Sequence, residues 1–305
     1  MKETIFLTVL QNGAKRIPMG LGVTLALTFL NHNASASPEV NLGTAYSFGV
    51  LAGSAVTSTG PTVISGGYVG LYPGTLSSVS GFPPGTVNSP YSIQANNAVT
   101  GNAQSDLSTA FGTAAGLAPT GGDLTGQNLG GLTLLPGVYK FDSSAFLTGT
   151  LTLNDLGNPD AVFVFQIGST LITASGSSVR TINDPDAGAA VPGVSVFWQV
   201  GSSATLGTGT DFEGNILAYA SITDDGGSTV DGRLLAENAA VTLNDTVINV
   251  PLPEQTETGL QPGELPGGLD VSVPDNCSTL LLLGSGLAAL FAFGRRFSVL
   301  PGKPA

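Results

Sequence analysis

The residues of this chain best placed to do covalent chemistry are its paired carboxylates, Asp184/Asp186, Asp211/Glu213 and Asp224/Asp225. Two carboxylates about 5–5.5 Å or 6.5–9.5 Å apart can cleave a glycosidic bond, and a cluster of them can hold calcium. None of these pairs sits in a recognisable catalytic motif, and acidic turns beside glycine ordinarily serve the backbone. The one histidine, His32, falls in a segment expected to be removed, which leaves no imidazole for a metal site or a hydrolase triad. The one cysteine, Cys277, excludes an internal disulfide framework. Between residues 37 and 250 the only basic side chains are Lys140, Arg180 and Arg233, too few to assist a lyase. With a net charge of −12 there is no electrostatic footprint for nucleic acid either. The expectation is a protein that is not an enzyme and uses no cofactor and no metal.

A different chemistry is written in the hydroxyls. Residues 212–218, FEGNILA, return as residues 230–236, VDGRLLA, with the glycine and the alanine each displaced by 18. Thr205 and Thr223 are also 18 apart, and Thr242 follows after 19. A short unit recurring at this step is the pattern of a β-solenoid, whose coils lay like residues on one another at the strand spacing of about 4.7–4.9 Å. Threonine at one coil position then forms a regular row. Its β-branch restricts χ1, so methyl and hydroxyl point in set directions before any ligand arrives. Many weak contacts on a rigid scaffold act together at small entropic cost. Such a surface could order water. The competing reading is plain β-propensity in solvent-facing strands.

The elements that must position this row are short. Apolar residues make up 42% of the chain and charged residues 10%, which argues against disorder. Alternating runs rich in threonine, valine, glycine and serine favour an all-β body. Residues 48–57 alternate and then break at Gly60-Pro61, and 62–64 resume before Gly66-Gly67. Residues 162–169, VFVFQIGS, resemble 194–202, with Gln166 matching Gln199 at a step of 33. The excess length is assigned to an excursion over 183–193. Continuous apolar runs such as 162–165 fit strands buried on both faces. Residues 92–117 differ. Ala95, Ala98, Val99, Leu107, Ala110, Phe111 and Ala114 fall at three- and four-residue steps, predicting one helix along the β body, open to interruption at Gly101 and Gly112.

The ends are distinct. Residues 1–36 read as a secretory signal, with Lys15-Arg16, an apolar core and Ala34-Ser35-Ala36 as cleavage site. The body is expected over 37–250 and a proline- and glycine-rich linker over 251–272. Residues 273–305 hold an uncharged segment, 278–293, followed by Arg295-Arg296, and suggest a transmembrane or anchoring tail.

Two likenesses follow. The tail, Val273-Pro274-Asp275 through Arg295-Arg296, resembles the PEP-CTERM class of sorting signals in its VPD variant, although Asn276-Cys277 departs from the usual Ser-Gly. That implies sorting machinery as a partner, and a secreted or cell-surface protein that meets the membrane only through its tail. The body resembles the microbial ice-binding proteins with a discontinuous β-solenoid. The likeness rests on residues 42–45, 48–53, 81–85, 135–139, 163–166 and 212–242. It implies a right-handed β-helix of roughly triangular section, its first and last strands meeting in the body and a long α-helix packed alongside. It also implies Thr-Gly/Ala-x-Thr/Asn units on one flat face. Thr59-Gly60-Pro61-Thr62 fits, Thr208-Gly209-Thr210-Asp211 fits in three positions, and 175–178, 226–229 and 244–246 are weaker versions.

The candidate ice-contacting residues are therefore Thr57, Thr59, Thr62, Thr173, Ser175, Ser178, Thr205, Thr208, Thr210, Thr223, Thr229, Thr242 and Thr246. The partner is an ice surface; the alternative is a matrix or adhesion protein holding hydrated polysaccharide on the same face. A monomer is expected. Tyrosine at Thr223 or Thr229 is expected to spoil the surface. Asp211, Asp224, Asp225 and Asp245 would also spoil it if they stood on it, but would be harmless at turns.

Overall fold

A computed structural model describes residues 39–183 and 195–251. These lie in the first of two units, Met1–Glu254; the second, Gln255–Ala305, lies outside the described residues. So do the expected signal, the linker beyond Pro251, the tail with its segment 278–293, and Asp184 and Asp186. Among the described residues no helix is long and apolar enough to cross a membrane. The transmembrane expectation is corrected accordingly.

The described chain is mostly β with one helix, and its named strand pairs are parallel. A 7-stranded sheet stands beside a 15-stranded one. The 18-residue step appears directly as register. Phe212 pairs with Val230, Gly214 with Gly232 and Ala218 with Ala236, while Thr205 pairs with Thr223. The longer step to Thr242 is absorbed at a corner. Ala218↔Ala236 and Ile222↔Val241 are both in register, so the second corner carries one extra residue (241 − 236 = 5 against 222 − 218 = 4). The step of 33 is also register, with Gln166 opposite Gln199.

The 15-stranded sheet consists of two ladders joined by the strands Asp211–Ala218 and Thr229–Ala236, which run through both. They turn at Gly214 (φ +118°) and Gly232 (φ +153°), where a Cβ on Gly232 would fall 2.0 Å from the Gly214 carbonyl oxygen. Only glycine fits that stack. One ladder is apolar on both sides. Phe163 and Phe165 face the inner core with Tyr139 and Trp198, and Val164 faces the helix with Val138, Phe197, Leu217 and Leu235. The inner rings stack in register, Phe165 on Trp198 at 3.9 Å between centroids. This accounts for the unbroken apolar run at 162–165.

The chain does not stack in sequence order. Phe48–Ala52 lies between Thr229–Ala236 and Tyr68–Leu71. Val56–Thr59 joins Val241–Asn244, and Val63–Ser65 joins Val247–Asn249. First and last strands thus meet in the body. Arg233 fastens the seam, donating from Nε to the Tyr46 carbonyl and from Nη2 to the Pro251 carbonyl, and lying 3.9 Å from the centre of the Tyr46 ring.

The helix, Ala98–Gly116, starts later than expected because Ile93–Ala95 is a strand paired with Val69–Leu71. Asn97 and Thr100 form a reciprocal capping box. At its other end Gln166 Nε2 donates to the carbonyls of Ala114 at 2.7 Å and Leu117 at 2.8 Å, supplying partners that the last turn lacks. The helix is continuous through Gly101 and Gly112. Gly101 packs under the Tyr72 ring, which a Cβ would approach at 3.3 Å. The buried stripe is Ala103, Leu107, Ala110 and Ala114, whereas Val99 is 51% exposed. Nineteen residues span about 28 Å, close to six strand spacings of about 4.8 Å. The helix is thus long enough to cover about seven of that ladder's nine strands.

Candidate functional site

The 7-stranded sheet presents one face to the core and one to solvent. Its register places Phe146, Ile172, Thr205, Thr223, Thr242, Thr57 and Ser80 in one outward row. The four threonines are consecutive, and their neighbours on each strand point inward. Leu206, Val241, Leu243 and Val56 are fully buried, as the two-residue period of a strand requires. Thr57 Oγ1 donates to Thr242 Oγ1 at 3.3 Å.

Two residues before each member of the row, just ahead of its strand, runs a second file, Ser144, Thr170, Ser203 and Ser221, giving way to Ala240 and Ala55. Ser144 and Thr170 hydroxyls are 2.7 Å apart, and Ser221 Oγ donates to Ser203 Oγ at 3.0 Å. Two residues later lie Asp225, Asn244 and Thr59, linked by Thr59 Oγ1 to Asn244 Oδ1 at 3.0 Å and Asn244 Nδ2 to the Asp225 carbonyl at 3.1 Å. The files are about 6.7 Å apart, and members of one file about 4.8 Å. Two waters bonded to a third at tetrahedral angles lie about 4.5 Å apart, given an O···O distance of about 2.75 Å. Rows of hydroxyls at the strand spacing are therefore near the second-neighbour spacing of a tetrahedral water network.

The expected residues divide. Thr57, Thr205, Thr223 and Thr242 are half-buried members of the threonine row, and Thr59 stands in the file beside it. Ser175 and Thr208 are exposed, but lie in turns beyond the strands, where Gly176 N donates to the Thr208 carbonyl. Thr229 belongs to the other sheet, in register with Asp211 and Val247. The sites expected at Thr62, Thr173, Ser178, Thr210 and Thr246 are corrected, because all five are buried. Their hydroxyls are used internally: Thr173 and Thr210 share a bond at 2.9 Å, Thr246 donates to Asp224 at 2.5 Å, Thr62 accepts from the Thr246 amide, and Ser178 pairs with Thr150. Buried hydroxyls need such partners and have none to offer water.

The aspartates divide too. Asp224 is buried, bonded by Ser228 and Thr246 hydroxyls. Asp245 sits at a left-handed turn, φ +50°, and Asp211 belongs to the other sheet. Only Asp225 borders the threonine row, two residues beyond Thr223. Glu213, Asp211's neighbour in the second carboxylate pair, accepts from the Thr181 amide at 3.0 Å and from the Thr181 hydroxyl.

Ser144, Thr170, Ser203 and Ser221 were not expected as site residues, and Asn244 entered only through the weaker unit 244–246. Ser203 and Ser221 carry the same 18-residue step as Thr205 and Thr223, and counting back two from each threonine finds them.

The chain matches the ice-binding-like family over residues 50–249. It is 49% identical over 276 residues to an ice-binding protein of Nostoc sp. (strain HG1), covering 90% of this chain and 93% of that one. It is 33% identical to an ice-binding protein of Colwellia sp., covering 83% and 99%. Among solved structures it is similar to an ice-binding protein from an Antarctic biological consortium, with a TM-score of 0.64 and 42% identity over 74% of this chain and 97% of that one.

Proposed function

Since the chain belongs to the ice-binding-like family, we propose that it binds ice and that the threonine row and its flanking serine file are the surface that does so. The observation that carries this reading is the unbroken in-register run Thr205, Thr223, Thr242, Thr57. Each hydroxyl can bond one water of an ordered layer, and each methyl limits the orientations of the water beside it. The strand ladder fixes the spacing before ice is met, so little order remains to be imposed on binding. Charge is kept off the centre, since a carboxylate would hold its own hydration shell.

The parallel stacking supports a β-solenoid, right-handed and of roughly triangular section, with the two ladders of the large sheet and the threonine sheet as its three walls. Export by residues 1–36 and handling of residues 273–305 by sorting machinery place this surface outside the cell, a reading supported by the sequence of both ends. Catalysis has no part in it.

Partition into slowly growing ice tests the assignment. The full chain is expected to be enriched in the ice fraction, and Thr223→Tyr to be left in the liquid while keeping its melting temperature. Equal enrichment of the two would reject this surface.

A further inference from the structure

At the corner where the helix-covered ladder turns into the threonine sheet lies an open cavity of about 420 Å³, lined by Phe111, Lys140, Asp142, Gln166, Gln199 and Tyr219, among others. Its size falls within the roughly 300–1,000 Å³ of small-molecule sites. Gln166 and Gln199 occupy equivalent positions on neighbouring strands, yet they are used differently. The Gln166 amide is committed to the end of the helix. Gln199 as a residue is 7% exposed, and its side chain lines the cavity without a hydrogen bond to another described residue. An amide open to the cavity and without protein partners is available to bond whatever occupies it. Tyr219 forms a wall beside Phe111, ring centres 6.2 Å apart, and is 52% exposed. Lys140 and Asp142 pair at 2.6 Å, so the rim carries polar groups without net charge.

We propose that this cavity is a binding site for a neutral pyranose unit of a polysaccharide. The half-exposed tyrosine ring offers a flat apolar platform for the C–H face of a sugar. The Gln199 amide and the Asp142 carboxylate offer a donor and acceptors for ring hydroxyls. The neutralised rim favours an uncharged ligand over phosphate or uronate. The concavity is unsuited to a crystal face, so this site is separate from the ice surface and does not depend on it.

Isothermal titration of the full chain with hexasaccharides of glucose, mannose and galactose tests the proposal. Saturable binding of at least one is expected, weakened about tenfold in Tyr219→Ala, the scale of one lost aromatic contact, and similarly in Gln199→Leu. Thr223→Tyr should bind sugar as the unaltered chain does, and an unchanged melting temperature of Tyr219→Ala certifies its fold. No binding of any of the three, or binding by both cavity variants as tight as by the unaltered chain, overturns the proposal.

Discussion

The helix-covered ladder and the threonine sheet are built from the same stacked chain and differ in what their outward positions carry. On the ladder these are Val138, Val164, Phe197, Leu217, Leu235 and Leu51, which cannot be left to water and are buried by Leu107 and the alanines of the helix. On the sheet they are threonines and serines that need no cover. The difference lies in the residues at alternate positions, since both backbones have the same parallel geometry. One wall is stabilised by excluding water; the other is the one we propose to hold it in order.

The comparison can be broken most severely at the helix. Leu107→Ala removes the largest side chain of the helix's buried stripe and should cost about 2–5 kcal/mol in denaturant unfolding. Ice partition per folded molecule should be unchanged, because the threonine sheet does not touch the helix's apolar face. It can be sharpened at the apolar end of the threonine row, where Phe146 and Ile172 are 47% and 38% exposed. Phe146→Ser with Ile172→Thr extends the hydroxyl file by two strands. Ice activity should rise, by less than about tenfold, as contacts are added to an existing multivalent array. The smallest effect is expected at Glu237, whose carboxyl is raised above its usual range by burial and whose Oε1 has no partner. With its folded pKa above the unfolded one, its stabilising effect is complete below about pH 4.3 and is lost as pH rises through the folded value. Glu237→Gln should therefore stabilise the protein at neutral pH by under about 1 kcal/mol and gain nothing near pH 4, as thermal unfolding at the two pH values would record.

The last coils were legible in the sequence because neighbours in space are neighbours in the repeat: Thr205, Thr223 and Thr242 follow one another at steps of 18 and 19. Thr57 completes the same row from 185 residues away, and no sequence period announces that, since the chain re-enters its own stack at the seam. The motif Thr-x-x-Thr misled where it cut across strand alternation. Thr59 and Thr62 straddle a turn, so one is exposed and the other buried. Thr173 follows the outward Ile172 and must point inward. The helix's apolar stripe was read too broadly, because Val99 and Phe111 satisfy the spacing but lie at the margin of the face that Leu107 centres. The cavity beside Tyr219 was not legible at all, since it depends on how a helix end meets four strand ends.

The central claim is that ice is met by the threonine sheet and by no other wall. Thermal hysteresis of Thr242→Tyr measured beside Thr229→Tyr tests it most directly, since both replace a half-buried threonine on a strand but on different sheets. The account predicts that hysteresis is lost in Thr242→Tyr and kept in Thr229→Tyr. The reverse pattern, or equal loss in both with melting temperatures unchanged, would contradict it.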